Sequence, residues 1–328
     1  MTKKRVLVSG ATGFVGGAVV DRLMAQTELY EVIAVGRSGQ SIGTEGVQFI
    51  SGLELNKPTG WSELLKGVDV VVHCAARAHI MNDQAQDPLA EFRRVNVEGS
   101  LALADQAIAA GVKRFVFLSS IKVHGENTNR RPPFKASDRP SPEDAYAISK
   151  FEAEVALKAR AANGDMEMVV VRPPLVYGPG VKGNFRSLLK LCHTPVPLPF
   201  GSMGNKRSMI YVGNLADFIE QCVSAANAAN QDFLVSDDET FSLPELLAQV
   251  RRLMNRSPLM VPVPLVLFHV AGRVLGKSAA VDRLLGDLAI DSESARRRMK
   301  WSPPYPAKEG LQATVDDYNR RKRSGELV

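Results

Sequence analysis

Short apolar runs recur through the first half of the chain, and each is followed by a stretch whose apolar residues repeat at helical spacing. Residues 5–9, 30–35, 47–50, 68–76, 114–120 and 167–172 read as buried strands, and residues 18–24 and 88–110 as helices. Strands alternating with helices through residue 172 predict a parallel sheet covered on both faces, an α/β, doubly wound architecture. The pattern changes at Pro173-Pro174. Prolines and glycines crowd residues 173–204, strands become scarce, and short helical periods dominate the remainder. The chain is therefore expected to divide into a sheet domain over residues 1–172 and a smaller, mainly helical lobe over residues 173–328 that does not fold on its own.

The 328 residues are 45% apolar and 23% charged, the balance of a globular protein with a sizeable core. Cys74, Cys192 and Cys222 are far apart and odd in number. They predict neither a disulfide framework nor a metal-binding pair, so no metal is expected and the thiols fit a reducing compartment. The N-terminus runs directly into the first strand with no room for a signal peptide, which points to the cytoplasm. Residues 261–275 form the longest apolar stretch, yet they contain two prolines, His269 and Arg273. That is too short to span a bilayer, so no transmembrane segment is expected and a core or pocket helix is predicted there, with peripheral contact with a membrane left open as the alternative. The net charge of +6 includes basic runs at residues 296–298 and 320–323. Lacking interleaved aromatics, these read as solvated faces rather than a nucleic-acid surface, and the mild positive balance suits a small anionic substrate.

Candidate chemistry sits at the ends of the strands. The first strand runs at once into Gly10-Ala-Thr12-Gly13-Phe14-Val15-Gly16 and then a helix. In that context the glycines allow a tight turn and let a pyrophosphate approach the free N–H groups of the helix. The second strand ends at Arg37, where an adenosine ribose would be read. An arginine suits the 2′-phosphate of NADP and can equally stack on adenine, so NAD and NADP both stay open, with Arg37 favouring NADP. The fourth strand ends in His73-Cys-Ala75-Ala76, small residues suited to a backbone beneath a cofactor, with His73 read as structural. The fifth ends in Ser119-Ser120. Tyr146 and Lys150 are one helical turn apart, and an ammonium there would lower the phenol's pKa and make it a proton donor and acceptor.

These parts occur in a particular order. G-x-x-G-x-x-G over residues 10–16, N-V-E-G starting at Asn96, S-S-I-K-V-H-G over 119–125, Tyr146 with Lys150, R-P-P-L-V-Y-G-P over 172–179, the 206–216 segment and the closing Trp301-Ser-Pro follow one another. In that arrangement the chain resembles, along nearly its whole length, the extended short-chain dehydrogenase/reductases, also called the NAD-dependent epimerase/dehydratase family. The resemblance implies a Rossmann-type dinucleotide-binding domain over residues 1–172 and a substrate-binding lobe over 173–328. It implies that Ser120 holds the oxygen at the reacting carbon, Tyr146 exchanges its proton, and Lys150 binds the nicotinamide ribose. Gly10, Thr12, Gly13, Phe14, Val15, Gly16, Arg37, Glu54, Leu55, Ala75, Ala76, Asn96, Tyr146, Lys150 and Pro173 are the cofactor residues it implies, with Glu54 standing where relatives commonly have Asp. Ser120, Lys122, Asn184, Arg207 and Arg283 are the implied substrate contacts. Asn184 could equally cap a helix, and Arg283 could equally be a surface residue.

The same resemblance implies a nucleotide-diphosphate-sugar substrate and a homodimer. Sugar 4,6-dehydratases carry an Asp-Glu pair where this chain has Ile121-Lys122, which speaks against elimination. The segments around Ser120 and Pro173, with the run Ala75-Ala-Arg77-Ala-His79, most resemble bacterial 4-keto-sugar reductases that make UDP-N-acetyl-quinovosamine or UDP-N-acetyl-fucosamine for surface polysaccharides such as O-antigen. The first expectation is therefore NAD(P)H-dependent reduction at C4 of UDP-2-acetamido-2,6-dideoxy-hexos-4-ulose. The alternative is a UDP-sugar 4-epimerase that keeps NAD tightly bound, and the third is an inactive dinucleotide-binding module.

Overall fold

The computed structural model describes residues 2–37, 46–53, 55, 60–78, 86–276 and 278–326. The elements are β1 (Lys4–Ser9), α1 (Phe14–Met24), β2 (Tyr30–Gly36), β3 (Gln48–Ser51), α2 (Trp61–Leu64), β4 (Val70–His73), α3 (Pro88–Arg93), α4 (Gly99–Ala109), β5 (Arg114–Leu118), α5 (Ala145–Ala161) and β6 (Glu167–Arg172). The second half adds β7 (Leu175–Tyr177), α6 (Gly183–Cys192), β8 (Arg207–Tyr211), α7 (Val212–Ser224), β9 (Asp232–Leu234), β10 (Thr240–Phe241), α8 (Leu243–Leu253), α9 (Leu265–Val274), α10 (Ser278–Leu285), α11 (Glu293–Met299) and α12 (Ala307–Arg323).

Seven strands form one sheet in the order β3-β2-β1-β4-β5-β6-β9, and every neighbouring pair is parallel. The strand order reverses between β1 and β4, which opens a crevice at the carboxyl ends of the strands. Successive side chains of a strand point to opposite faces. Val6 and Val8 thus join one core with Val19 and Leu23 of α1 and Phe218 of α7, while Leu7 joins the other with Leu103 of α4 and Leu157 of α5. This two-sided burial explains why the strands read as continuous apolar runs. The doubly wound α/β expectation is met.

Two expectations change. The sheet does not end at residue 172, because β9 pairs with β6 at the register Val170↔Asp232 and α7 covers the same face as α1. Three residues, Asp232–Leu234, are too few to show a period, so the pattern of apolar positions missed this strand. The second correction concerns the apolar stretch at 261–275. Its helix α9 is not a core helix, since most of its large apolar side chains are exposed and Phe268 alone among them packs inward on Phe200. The rest of the second half builds its own core, with Phe185 and Leu189 of α6, Leu247 of α8 and Leu311 and Val315 of α12, beside a three-stranded sheet β10-β8-β7. Among the described residues no helix is long and apolar enough to cross a membrane.

Charged groups tie the sheet to α5. Arg172 at the end of β6 is buried and donates to Glu154 of α5 from Nε at 3.0 Å and Nη2 at 2.5 Å, and to Asp232 of β9 at 2.8 Å. Three elements meet at one guanidinium. Removing one partner of a buried pair strands the other charge in a low-dielectric site, which costs about 3–5 kcal/mol. Glu154→Ala is therefore expected to lower unfolding stability by about that amount. Urea titration checks it, and a loss under about 1 kcal/mol would show that Asp232 alone satisfies Arg172.

Candidate active site

The glycine turn joins β1 to α1. Gly10 has a φ of 75°, in the left-handed region, and a Cβ there would lie 2.6 Å from the backbone nitrogen of Ala75. A Cβ on Gly16 would lie 2.2 Å from the Gly10 carbonyl oxygen. These two glycines let three stretches of backbone meet at the crevice. Gly13 caps α1 without a side-chain hydrogen bond, and the first turn of α1 holds no acidic residue. Its leading N–H groups, at Phe14, Val15 and Gly16, are therefore presented to an anion. Thr12 rests against Gly36, and Arg37 is exposed just beyond it. Ala75 and Ala76 are half-buried beside the turn. This cradle fits a dinucleotide. Leu55 packs against Gly99 of α4, while Glu54 and His79 lie outside the described residues.

Asn96 lies in a π-helical turn, residues 94–98, between α3 and α4. Such bulges re-aim a side chain inside a helix. Its Oδ1 accepts from the Arg77 N–H at 2.7 Å, and its Nδ2 donates to the Arg77 carbonyl at 3.1 Å and to Ser149 Oγ at 3.0 Å. The loop after β4 is thereby fastened to α5 next to Lys150. His73 is structural as expected: it is buried, with Ser9 Oγ 2.6 Å from Nδ1 and Ser100 Oγ 2.8 Å from Nε2. Burial pushes its pKa down to about 3.

Ser120, Tyr146 and Lys150 come together at this crevice. The Ile121 N–H donates to the Pro173 carbonyl at 2.9 Å, which sets the chain after β5 against the end of β6. The Ser120 hydroxyl lies beside the Tyr146 phenol, close enough to act on its proton. The ring of Tyr146 stands edge-on to Phe92 with centroids 6.1 Å apart. Lys150 is 1% exposed, and its ammonium lies 3.9 Å from the centroid of the Phe117 ring. Burial pulls its pKa down to about 7, opposed by the charges of Glu154 and Cys74. The phenol does not follow the sequence expectation. Burial pushes Tyr146 up to about 12, the Asp144 carboxylate adds to the rise, and the Ser120 hydroxyl opposes it. The helical spacing is right, yet the ammonium faces Phe117, so the lowering assumed from sequence is absent.

Asp144 is the residue that sequence reasoning missed. It caps α5, accepting from the Ala147 N–H at 2.7 Å, and it binds Lys122 Nζ at 2.6 Å. Lys122 also meets Glu126 at 2.8 Å. Its ammonium is held by two carboxylates beside the site. An Asp two residues before a Tyr at the start of a helical period was a visible capping signal. On the far side, Arg207 of β8 donates to the Arg283 carbonyl and, at 3.1 Å, to the Gly286 carbonyl, which joins β8 to the end of α10. Asn184 does not cap: α6 begins at Gly183, its cap is Lys182, and Asn184 is exposed in the first turn. Arg283 is exposed as well. Among the described residues, no group of three or more His, Cys, Asp or Glu side chains is placed to hold a metal ion.

The sequence profile of the NAD dependent epimerase/dehydratase family matches residues 6–236. The chain is 43% identical over 316 residues to a UDP-glucose 4-epimerase of Vibrio cholerae, covering 96% of this chain and 95% of that one. It is 26% identical over 285 residues to an N-acetyl-alpha-D-glucosaminyl-diphospho-ditrans,octacis-undecaprenol 4-epimerase of Escherichia coli O157:H7, covering 84% and 82%. Its fold is similar to that of Thermotoga maritima UDP-glucose 4-epimerase solved with UDP-glucose, with a TM-score of 0.77, 23% identity and coverage of 97% and 99%.

Lys150 offers a test with a definite sign. Its folded pKa near 7 lies below the unfolded value of about 10.4, so between these limits the unfolded chain binds more protons. Stability then rises with pH across that window, by at most about 1.4 kcal/mol per unit from this group, and falls as pH drops towards 7. Lys150→Met should flatten this rise and raise the melting temperature at pH 7. Thermal melts at pH 7 and pH 9.5 check both, and an unchanged slope in the variant would refute the burial argument.

Proposed function

The chain belongs to the NAD-dependent epimerase/dehydratase family, and from that membership we propose that it is a UDP-sugar 4-epimerase that uses NAD. The observation carrying this reading is the 43% identity, across nearly the full length of both chains, with a UDP-glucose 4-epimerase. Ser120, Tyr146 and Lys150 lie in one crevice with a cradle for an anionic dinucleotide, which speaks against an inactive binding module. The C4 reductase favoured by the Ser120 and Pro173 segments uses the same three residues and stands second.

In this proposal Tyr146 moves the proton at the sugar's O4. Taking the O4 proton as hydride leaves C4 requires the phenol first to give up its own proton, and its high pKa favours the return step, in which the phenol donates to the 4-keto oxygen. Ser120, whose hydroxyl lies beside the phenol, would hold the same oxygen. NAD, when bound, supplies hydride exchange at C4. Lys150 has a buried ammonium on α5 that would bind the nicotinamide ribose, and Asn96 keeps that helix against the loop after β4. NAD is preferred to NADP on the family's own dependence, and Arg37, exposed past β2, is assigned to stacking on adenine. The lobe after residue 173 holds the UDP-sugar, with Arg283, Asn184 and Arg207 as its anion-facing side. Lys122 sits beside the substrate rather than on it, because Asp144 and Glu126 already hold its ammonium. A homodimer belongs to the same reading.

Purified protein is expected to interconvert UDP-glucose with UDP-galactose, or UDP-GlcNAc with UDP-GalNAc, with no net change in absorbance of reduced cofactor. Consumption of NADH or NADPH in step with a 4-keto-6-deoxy UDP-sugar, without interconversion, would establish the reductase instead. Tyr146→Phe should lower kcat by about 10²–10⁴-fold while NAD binding is kept. Retained turnover would remove the tyrosine from its proposed role.

A further inference from the structure

The outer face of α9 is inverted in polarity. A surface helix turns its apolar side chains inward and its polar ones to water. In α9 Phe268 stacks on Phe200 with centroids 5.8 Å apart, and Gly272 lies against Val281 of α10, so positions 268 and 272 mark the inward side. Val266, Val270 and Val274, four residues apart on one stripe, are 64%, 51% and 80% exposed. Leu265, Leu267 and Leu275 are exposed beside them. Leu259 and Val261 are exposed on the neighbouring segment, which hydrogen-bonds residues 198–201 just ahead of α9. Contiguous apolar surface of this kind marks an interaction site.

Charge accompanies it. Residues 251–286 contain Arg251, Arg252, Arg256, Arg273, Lys277 and Arg283 against a single acid, Asp282, so this segment carries five of the chain's net +6. Arg252, Arg273 and Arg283 are exposed, whereas Arg251 is turned inward onto the Ser257 and Val196 carbonyls. The charge decides the occupant. A two-fold contact between copies of this chain would set the same positive surface against itself, at an electrostatic cost. An anionic bilayer supplies both partners at once, an apolar layer for the valine stripe and negative headgroups for the arginines.

We infer that α9 and its flanking arginines form a peripheral docking face for an anionic lipid bilayer, with the helix lying in the plane of the surface. Since Arg207 donates to the Arg283 carbonyl at the end of α10, docking brings that side of the second lobe to headgroup level. The inference rests on the surface of α9 and is independent of the epimerase reading.

Sedimentation with vesicles tests it on the full-length protein. Binding is expected to vesicles of phosphatidylglycerol and phosphatidylethanolamine, not to phosphatidylcholine alone, and should weaken at least about ten-fold in about 0.5 M salt. The triple variant V266E/V270E/V274E should stay in the supernatant. Arg252→Glu with Arg273→Glu, which leaves the valine stripe intact, should lose the salt-sensitive part. Far-UV circular dichroism and the melting temperature establish that both variants are folded. Equal binding to phosphatidylcholine, no binding to either vesicle, or undiminished binding by the triple variant would overturn the inference. So would a dimer that the triple variant abolishes while vesicles leave the protein unbound.

Discussion

Keeping one ammonium away from water is the constraint to which most of this molecule answers. Lys150 lies on a Phe117 ring with, among the described residues, no carboxylate paired to it directly, and burial pulls its pKa to about 7. Such a group stays in place only because α5 is fixed on several sides. Arg172, itself held by Asp232, binds Glu154, one turn along the helix from Lys150, and Asn96 holds Ser149 beside it. Asp144 caps the start of the helix and is itself tied to Lys122. Each of these contacts is polar, buried or half-buried, and aimed at the same 17-residue element. The stability given up at the lysine is recovered from the groups that immobilise its helix.

The second half of the chain answers to a parallel arrangement. Asp237 accepts from Tyr177 Oη at 2.7 Å, from Asn214 Nδ2 at 2.8 Å and from the Tyr211 N–H. Burial pushes the carboxyl of Asp237 upward in pKa, and these donors offset part of that rise. Tyr177 and Asn214 belong to two of the motifs that carry the family resemblance. Their hydroxyl and amide are used to join β7, α7 and the segment after β9, so these motif residues serve architecture.

How much of this was legible in the sequence depended on whether a residue acts through its neighbours in the chain. The six long strands, the glycine turn and the 146/150 pair are local patterns, and each is found where its spacing puts it. Features made by contact across the chain were not visible: β9 is three residues long, Asp237 is one acid among 35, and the direction of the Tyr146 shift depends on which way the Lys150 side chain leaves its helix. Hydropathy misled at α9 for a related reason. An apolar run states a preference for leaving water, and whether a core or some other apolar phase receives it is decided by the rest of the fold.

The placement of β9 bears on the order in which the molecule is made. The central sheet is finished by a strand that follows β6 by some sixty residues in the chain, at the register Val170↔Asp232, and the core on that face is closed by Trp301, which packs edge-on to Phe218 at 5.0 Å. During synthesis the first 172 residues therefore leave the ribosome with an open edge on β6 and a bare apolar face. Until α7, β9 and Trp301 follow, that half has no complete surface, and closing such long loops is slow. The first half thus matures only with the lobe that follows it, and a chain cut at their apparent boundary is left with an unpaired strand edge, the surface on which partly made proteins aggregate.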